Sequence, residues 1–289
     1  MFGIFKKSTV KSSMALAKAP PSVPKDYLVE AVLISGVVLP PYPAVLEKID
    51  LLLSHDDFPL SELKNLIEDD PSLTSSLMRV ANSPVFGLSK SVANVEQAFS
   101  ILGIGRVQAI LRSQLLRNAL IDYGEPALLT QLWNRFNKIA ELSTKLASYS
   151  PMLRSKCDLA YMTGMFHGTG SFIMLKRYPV KASHFIKPDC NFEQQMSRMN
   201  ETLNTDHAMI GSMVAKSWRL PIVVTDAISK QRETLSVDGL TGILINILHS
   251  AILLHDNKFF EKEFEPILDY MINKLRIEET AIESLSISH

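Results

Sequence analysis

From about residue 44 onward, apolar residues recur every three to four positions, the spacing that lines one face of an α-helix. Val45, Ile49, Leu52 and Leu53 form the first such stripe, after Pro40, Pro41 and Pro43. Pro59-Leu60-Ser61 opens a second helix, with Ser61 expected as its cap and Leu63, Leu66 and Ile67 inward. Asp69-Asp70-Pro71 closes it and starts a third, because proline suits a first helical turn. Leu73, Leu77, Val80 and Ala81 are that helix's stripe, and Asn82-Ser83-Pro84 stops it. Asn94 is expected to cap a helix carrying Val95, Ala98, Phe99 and Leu102, ended by Gly103.

The same period predicts helices from about Gly105 to Leu120 and from Pro126 through Leu146. It continues at Asp158–His167, Phe192–Leu203, His207–Trp218, Ile222–Gln231, Gly239–His255, Phe264–Leu275 and Glu278–Leu285. No segment alternates with a period of two for long enough to make a strand. The expected fold class is all-α, a multi-helix globule of two packed helical halves. Residues 1–25 are aperiodic and rich in Ser, Lys, Ala and Pro, so they are expected to be a disordered tail. The break at Asp122-Tyr-Gly-Glu-Pro126 divides a domain at 26–257 into halves at 26–122 and 123–257. Residues 258–289 are expected to add C-terminal helices packed on that domain.

Composition narrows the function classes. Of 289 residues, 46% are hydrophobic and 21% charged, enough for a substantial core. Lys+Arg and Asp+Glu number 30 each, so the basic excess typical of a nucleic-acid binder is absent overall. The segment 61–83 has the outline of a helix-turn-helix, offering Ser72, Thr74, Ser75, Ser76 and Arg79. Its turn would turn Glu68, Asp69 and Asp70 toward the phosphates, so nucleic acid is not the expected partner. Two cysteines, Cys157 and Cys190, without a C-x-x-C partner suggest reduced thiols and a cytoplasmic setting. No run approaches the roughly 20 apolar residues of a membrane span.

Five pieces resemble a known family in order along the chain. Leu39-Pro-Pro-Tyr-Pro-Ala44 is similar to its opening element, and Ile67-Glu-Asp-Asp-Pro-Ser-Leu-Thr74 to the next. Leu77-Met-Arg-Val-Ala-Asn-Ser-Pro-Val-Phe-Gly87 resembles its leucine-arginine-x-alanine-asparagine-serine run. Val92-Ala-Asn-Val-Glu-Gln-Ala98 with Leu102-Gly103 follows, and later Asp206-His207-Ala208, Gly211 and Trp218-Arg-Leu-Pro221. The family is HDOD, a non-catalytic signalling branch of the HD phosphohydrolase superfamily. The resemblance covers most of residues 39–231 and implies an HD-like second half and a role in bacterial signal transduction.

An HD phosphohydrolase holds metal with a lone His, a His-Asp pair and a later Asp, and the metal lowers the pKa of a bound water. By the resemblance, Arg135 falls at the lone His, and a guanidinium has no lone pair to give a cation. Met165-Phe-His167-Gly168-Thr-Gly170 falls at the His-Asp segment, with Gly168 in place of the Asp. Gln231 stands where metal-binding relatives have His, and His249 or Ile252 stands for the final Asp. The expectation is therefore no catalytic residue, no metal and no cofactor. Arg135, His167, His207 and Gln231 become candidate ligand-binding residues of a degenerate cavity, suited to a small anionic ligand or a protein partner. For His167 and His207 the plain alternative is a buried, hydrogen-bonded imidazole. The competing readings are a metal-dependent phosphohydrolase with unusual ligands, for example three histidines on zinc, and a DNA-binding regulator.

Overall fold

Every regular element among the described residues is helical, as the spacing of apolar positions predicts. The computed structural model describes residues 37–55, 57–83, 91–179, 192–203 and 206–287. The expected tail at 1–25, the start of the folded core at 26 and Cys190 lie outside them.

Five helices make the first half: α1 (Ala44–Leu53), α2 (Leu60–Glu68), α3 (Pro71–Ala81), α4 (Val95–Leu102) and α5 (Ile104–Ala119). Their ends are built by local chemistry. Asp70 caps α3 by accepting from the Ser72 and Leu73 amides at 2.9 and 3.2 Å. Asn94 accepts from the Gln97 amide at 2.8 Å, while Gln97 Oε1 accepts from the Ala93 amide at 2.8 Å, a reciprocal cap. Gly103, at φ 78°, ends α4 and starts α5 in a left-handed conformation that disfavours a side chain. Ser61 does not cap α2. That helix begins two residues after Pro59's predecessor, at Leu60, so Ser61 sits inside its first turn and no side chain caps it.

The second half holds α6 (Pro126–Tyr149), α7 (Cys157–Phe166), α8 (Thr169–Arg177), α9 (Phe192–Leu203), α10 (His207–Ser217), α11 (Ile222–Ser229) and α12 (Gly239–His255). Helix α8 is one that the periodicity does not predict. Gly168 and Gly170 depress helix propensity there, and seven consecutive residues, Thr169–Leu175, are buried, so no amphipathic stripe shows. Packing makes it a helix instead. Gly170 lets α8 meet α10 at backbone distance: a Cβ on it would stand 1.9 Å from the His207 carbonyl oxygen.

Helix α7 is the centre. It packs on α5, α6, α10, α11 and α12 and is buried on nearly every face, as a core helix must be. Because α5 packs on both α3 and α7, the two halves share one continuous core rather than meeting at a wet seam. Beyond α12, the segment expected as a single helix at Phe264–Leu275 divides into a 3-10 turn (Lys262–Phe264), α13 (Glu265–Asp269) and a π-helical turn (Tyr270–Lys274). The wider turn is closed by the Leu275 amide donating to the Tyr270 carbonyl at 3.1 Å. Helix α14 (Glu279–Ile287) then docks on α6 and α12, burying Ile282 and Leu285.

Candidate functional site

The end of α7 and the start of α8 carry His167 and Gly168 into the interior. His167 is fully buried, and its Nδ1–H donates to the Gly164 carbonyl at 2.6 Å. That bond fixes the tautomer and leaves Nε2 as a buried lone pair with no hydrogen-bond partner among the described residues. Burial pushes the imidazole pKa down to about 3; the Gly164 bond opposes this, and the charges of Arg135, His207 and His255 add to it. The imidazole is neutral near pH 7. Phe136, from α6, stacks edge-on against it with centroids 4.9 Å apart. The same ring covers the next residue: a Cβ on Gly168 would lie 2.1 Å from Phe136 Cζ.

Arg135, one position earlier on α6, turns toward the end of α12. Its Nη1 and Nη2 donate to Asp256 Oδ1 and Oδ2 at 2.6 and 3.1 Å, a bidentate pair. His255 Nδ1 lies 3.0 Å from Arg135 Nη1 and 2.9 Å from Asp256 Oδ1. Burial works against the Asp256 charge, yet the hydrogen bonds from His255 and Arg135 and the Arg135 charge outweigh it and hold the carboxyl at about 2. Asp256 is a partner of Arg135 that the sequence reading missed. It lies one helical turn beyond Ile252, at the C-cap of α12, where an acid is ordinarily unfavourable to the helix dipole.

His207 begins α10 and is buried as well. Its backbone amide donates to Asn200 Oδ1 at 3.0 Å, and its Nδ1 accepts from Asn200 Nδ2 at 3.0 Å. Nε2 therefore carries the proton and has no acceptor among the described residues. Burial, with the nearby Arg232 charge, lowers this pKa to about 3 too. Gln231 ends the set: its Nε2 donates to the His167 carbonyl at 3.2 Å. The four predicted residues thus share one neighbourhood, but not one open wall. His167 and His207 are closed off by packing, and Arg135 is engaged by Asp256. Gln231 alone reaches the adjoining cleft.

That cleft has a volume of about 430 Å³. Gln231, Arg232, His249, Asp256, Lys258 and Phe264 are among its lining residues, with Ile252 and Leu253 as its apolar floor. Arg232 is held near Asp206 at 3.9 Å, and burial lowers the His249 pKa. Arg232, Lys258 and Phe264 escaped the sequence reading because nothing in their spacing links them. Neither candidate for the last ligand position, His249 or Ile252, is paired with Arg135; both face the cleft.

The signature segments are structural here. Asn82 Oδ1 accepts from the Val92 amide at 2.7 Å while its Nδ2 donates to the Val92 carbonyl at 2.9 Å, so the asparagine locks two parts of the chain by its amide alone. In the outlined helix-turn-helix, Ser76 is buried and Thr74 Oγ1 donates to the Ile67 carbonyl at 2.9 Å, which removes both from a contact face. Cys157 is buried and free. Among the described residues no three His, Cys, Asp or Glu gather closely enough to hold a metal ion, and no helix is long and apolar enough to cross a membrane.

The profile of the HDOD domain matches residues 39–234. The chain belongs to the HDOD family. An uncharacterized protein of Treponema pallidum is 26% identical to this HDOD protein over 195 residues, 66% of this chain and 37% of that one. The HDOD chain thus matches little more than a third of that relative. A crystal structure from Shewanella amazonensis, of a protein whose name proposes a phosphohydrolase, superposes with a TM-score of 0.65 at 19% identity, covering 91% of this chain and 94% of that one. A Marinobacter aquaeolei protein whose name proposes a signal transduction role gives a TM-score of 0.65 at 19% identity, covering 91% of this chain and 62% of that one. At such identities these likenesses establish the HDOD fold.

Proposed function

We propose that the protein is a non-enzymatic signal-transduction module that takes a small anionic ligand in the cleft beside a degenerate HD-type site. The observation that carries this reading is the Phe136 ring packed against Gly168, with a would-be Cβ only 2.1 Å from Cζ. A bridging carboxylate at residue 168 has no room. Arg135, at the lone-His position, brings a guanidinium already bound to Asp256 at 2.6 Å. Two neutral imidazoles remain, on separate tautomers, and among the described residues no third ligand gathers with them to offset a divalent charge. These residues do not fit the metal of the superfamily.

The adjoining cleft supports the binding half of the reading. It pairs the apolar Ile252, Leu253 and Phe264 with the cations Arg232 and Lys258, beside two carboxylates, Glu263 and the Asp256 already engaged by Arg135. That combination suits a ligand with a flat apolar body and an anionic group. Gln231 spans cleft and core, since it also donates to the His167 carbonyl. An occupant touching Gln231 therefore presses on α7, the helix around which both halves pack, which is a route from ligand to signal.

The test uses nucleoside monophosphates, which combine such a body with an anion. Binding should raise the melting temperature of the full chain by mass action, and Lys258→Ala and Arg232→Ala should each lose the shift while staying folded. No shift with any of the four common nucleotides would remove the ligand half of the reading. Manganese-dependent hydrolysis of p-nitrophenyl phosphate, abolished by His167→Ala, would overturn the non-enzymatic half.

A further inference from the structure

A second polar cavity, of about 230 Å³, lies where the two helical halves meet, away from the cleft beside Gln231. Arg79 of α3 and Arg117 of α5 enter it from the first half, and Asn134, Asn137 and Glu141 of α6 from the second, with Ser83 at one edge. Two cations brought into one cavity repel, and the arrangement has a visible cost: burial and the Arg79 charge both push the Arg117 pKa down.

Among the described residues, side chains do little to relieve it. Neither guanidinium makes an ion pair among the described residues. Among the described residues Arg79 reaches Gln114 Oε1, at a long 3.4 Å, and the Gln114 amide is directed at Asn118 Oδ1. The one carboxylate among the described residues lining the cavity, on Glu141, accepts from Ser83 Oγ at 3.1 Å. Asn134 and Asn137 bring amide donors that make no hydrogen bond to other described residues. Two guanidiniums and two amides converging on a small space form a donor set complementary to an oxyanion with several acceptor oxygens.

We propose that this cavity binds a phosphate group, free or carried on a small molecule, clamped between Arg79 and Arg117 with Asn134 and Asn137 as further donors. Glu141 leaves the set with one positive charge in excess, which favours an anion over a cation. Because the donors come from α3, α5 and α6, the bound anion ties the first helical half to the second. The site is independent of the cleft reading above and stands or falls by different residues.

The test is titration of inorganic phosphate, and separately of adenosine monophosphate, into the full chain, followed by calorimetry and melting. Sodium chloride at matched ionic strength is the control. Phosphate salts out proteins in general, so the readout is the difference between wild type and Arg117→Gln or Arg79→Gln. Each variant should bind phosphate about tenfold or more weakly, the usual consequence of losing a charge-assisted contact. Each should melt no lower than wild type in chloride alone, since it relieves repulsion. Lys274→Ala, exposed and lining neither cavity, should bind as wild type does. Tighter binding of the nucleotide than of phosphate, lost in the same two variants, would identify the phosphate as part of a larger ligand. Equal shifts in wild type and Arg117→Gln would overturn the proposal. So would loss of phosphate binding in Lys274→Ala as well, or a lowered melting temperature of both arginine variants in chloride, which would make the arginines structural.

Discussion

The indole N–H of Trp218 donates to the Pro40 carbonyl at 3.1 Å, joining residues 178 positions apart. Trp218 is fully buried, edge-on to Tyr42 at 6.0 Å and to Phe166 at 6.5 Å. The first and last of the family's signature segments therefore touch, and the contact closes the N-terminal half onto α7 and α10. Arg219, the next residue, lies over the Tyr42 ring at 4.7 Å, while Tyr42 donates to Asp50, which Arg112 holds at 2.5 Å.

Trp218→Phe should accordingly weaken the whole fold, not one end. The buried Pro40 carbonyl would lose its donor, at a cost of about 1–3 kcal/mol, and the smaller ring would leave part of the indole's space empty. Urea denaturation should show a lower midpoint with one cooperative transition. An unchanged midpoint would mean that Pro40 finds water and that the contact is incidental.

Asp256→Ala should cost roughly 3 kcal/mol, the low end for removing one partner of a buried ion pair. It leaves the Arg135 guanidinium, only 15% exposed, facing His255 without its carboxylate. Replacing both partners together, as Arg135→Met with Asp256→Leu, should recover most of the loss, because neither charge is then stranded. A double-mutant cycle in urea measures the coupling. Additive losses would show that the pair is not coupled.

Acid should destabilise the protein earlier than carboxylate titration alone would cause. His167 and His207 have folded pKa values lowered to about 3, against 6.5 in the unfolded chain. Between those values the unfolded chain binds more protons, so stability falls as pH drops below about 6.5 and is fully present above it. The upper limit is about 1.4 kcal/mol per pH unit for each histidine. Asp256 acts in a different window: its contribution is present above an unfolded value of 3.8 and is lost only toward about 2. Urea midpoints measured from pH 7.5 to 4.5 should slope downward, and His167→Gln should flatten the slope by roughly a third to a half, since His249 is lowered by burial as well. A flat profile over that range would mean that the imidazoles gain protons inside the fold.

Much of the fold was legible because local rules and global packing agree over most of the chain. Asn94 and Gly103 act as the sequence reading expects, the break at Asp69-Asp70-Pro71 falls between α2 and α3, and most helices begin and end within a few residues of their predicted limits. The exceptions share a cause. Helix α8 is buried over Thr169–Leu175 and so carries no stripe, and the π-turn at Tyr270–Lys274 depends on docking, which leaves no periodic trace. At the site, the sequence marks Arg135 and Gly168 as two separate departures from a metal-binding pattern. That Phe136 fills the space over Gly168, and that Asp256 claims Arg135, are facts of three-dimensional adjacency between distant helices.

Restoring the missing acid should therefore not restore a metal site. Gly168→Asp places a Cβ where Phe136 Cζ already lies, with Cε1 and Cε2 at 2.4 and 2.8 Å on either side. The ring cannot retreat easily, since it packs edge-on against both His167 and Phe172. Overpacking of this kind typically costs about 1–3 kcal/mol, and a carboxylate enclosed by aromatic rings adds a desolvation penalty. Gly168→Ala isolates the first term: it should lower stability on its own, with no charge involved. Phe136→Ala alone should cost about 3–5 kcal/mol as a cavity mutant. In the Gly168→Ala background it should cost less, because the new methyl occupies part of the vacated space. The cycle of these two substitutions, read by urea denaturation, separates contact from accident. If Gly168→Ala is neutral, or if the two losses simply add, the ring does not close this position, and the argument that Phe136 excludes a metal-bridging carboxylate fails.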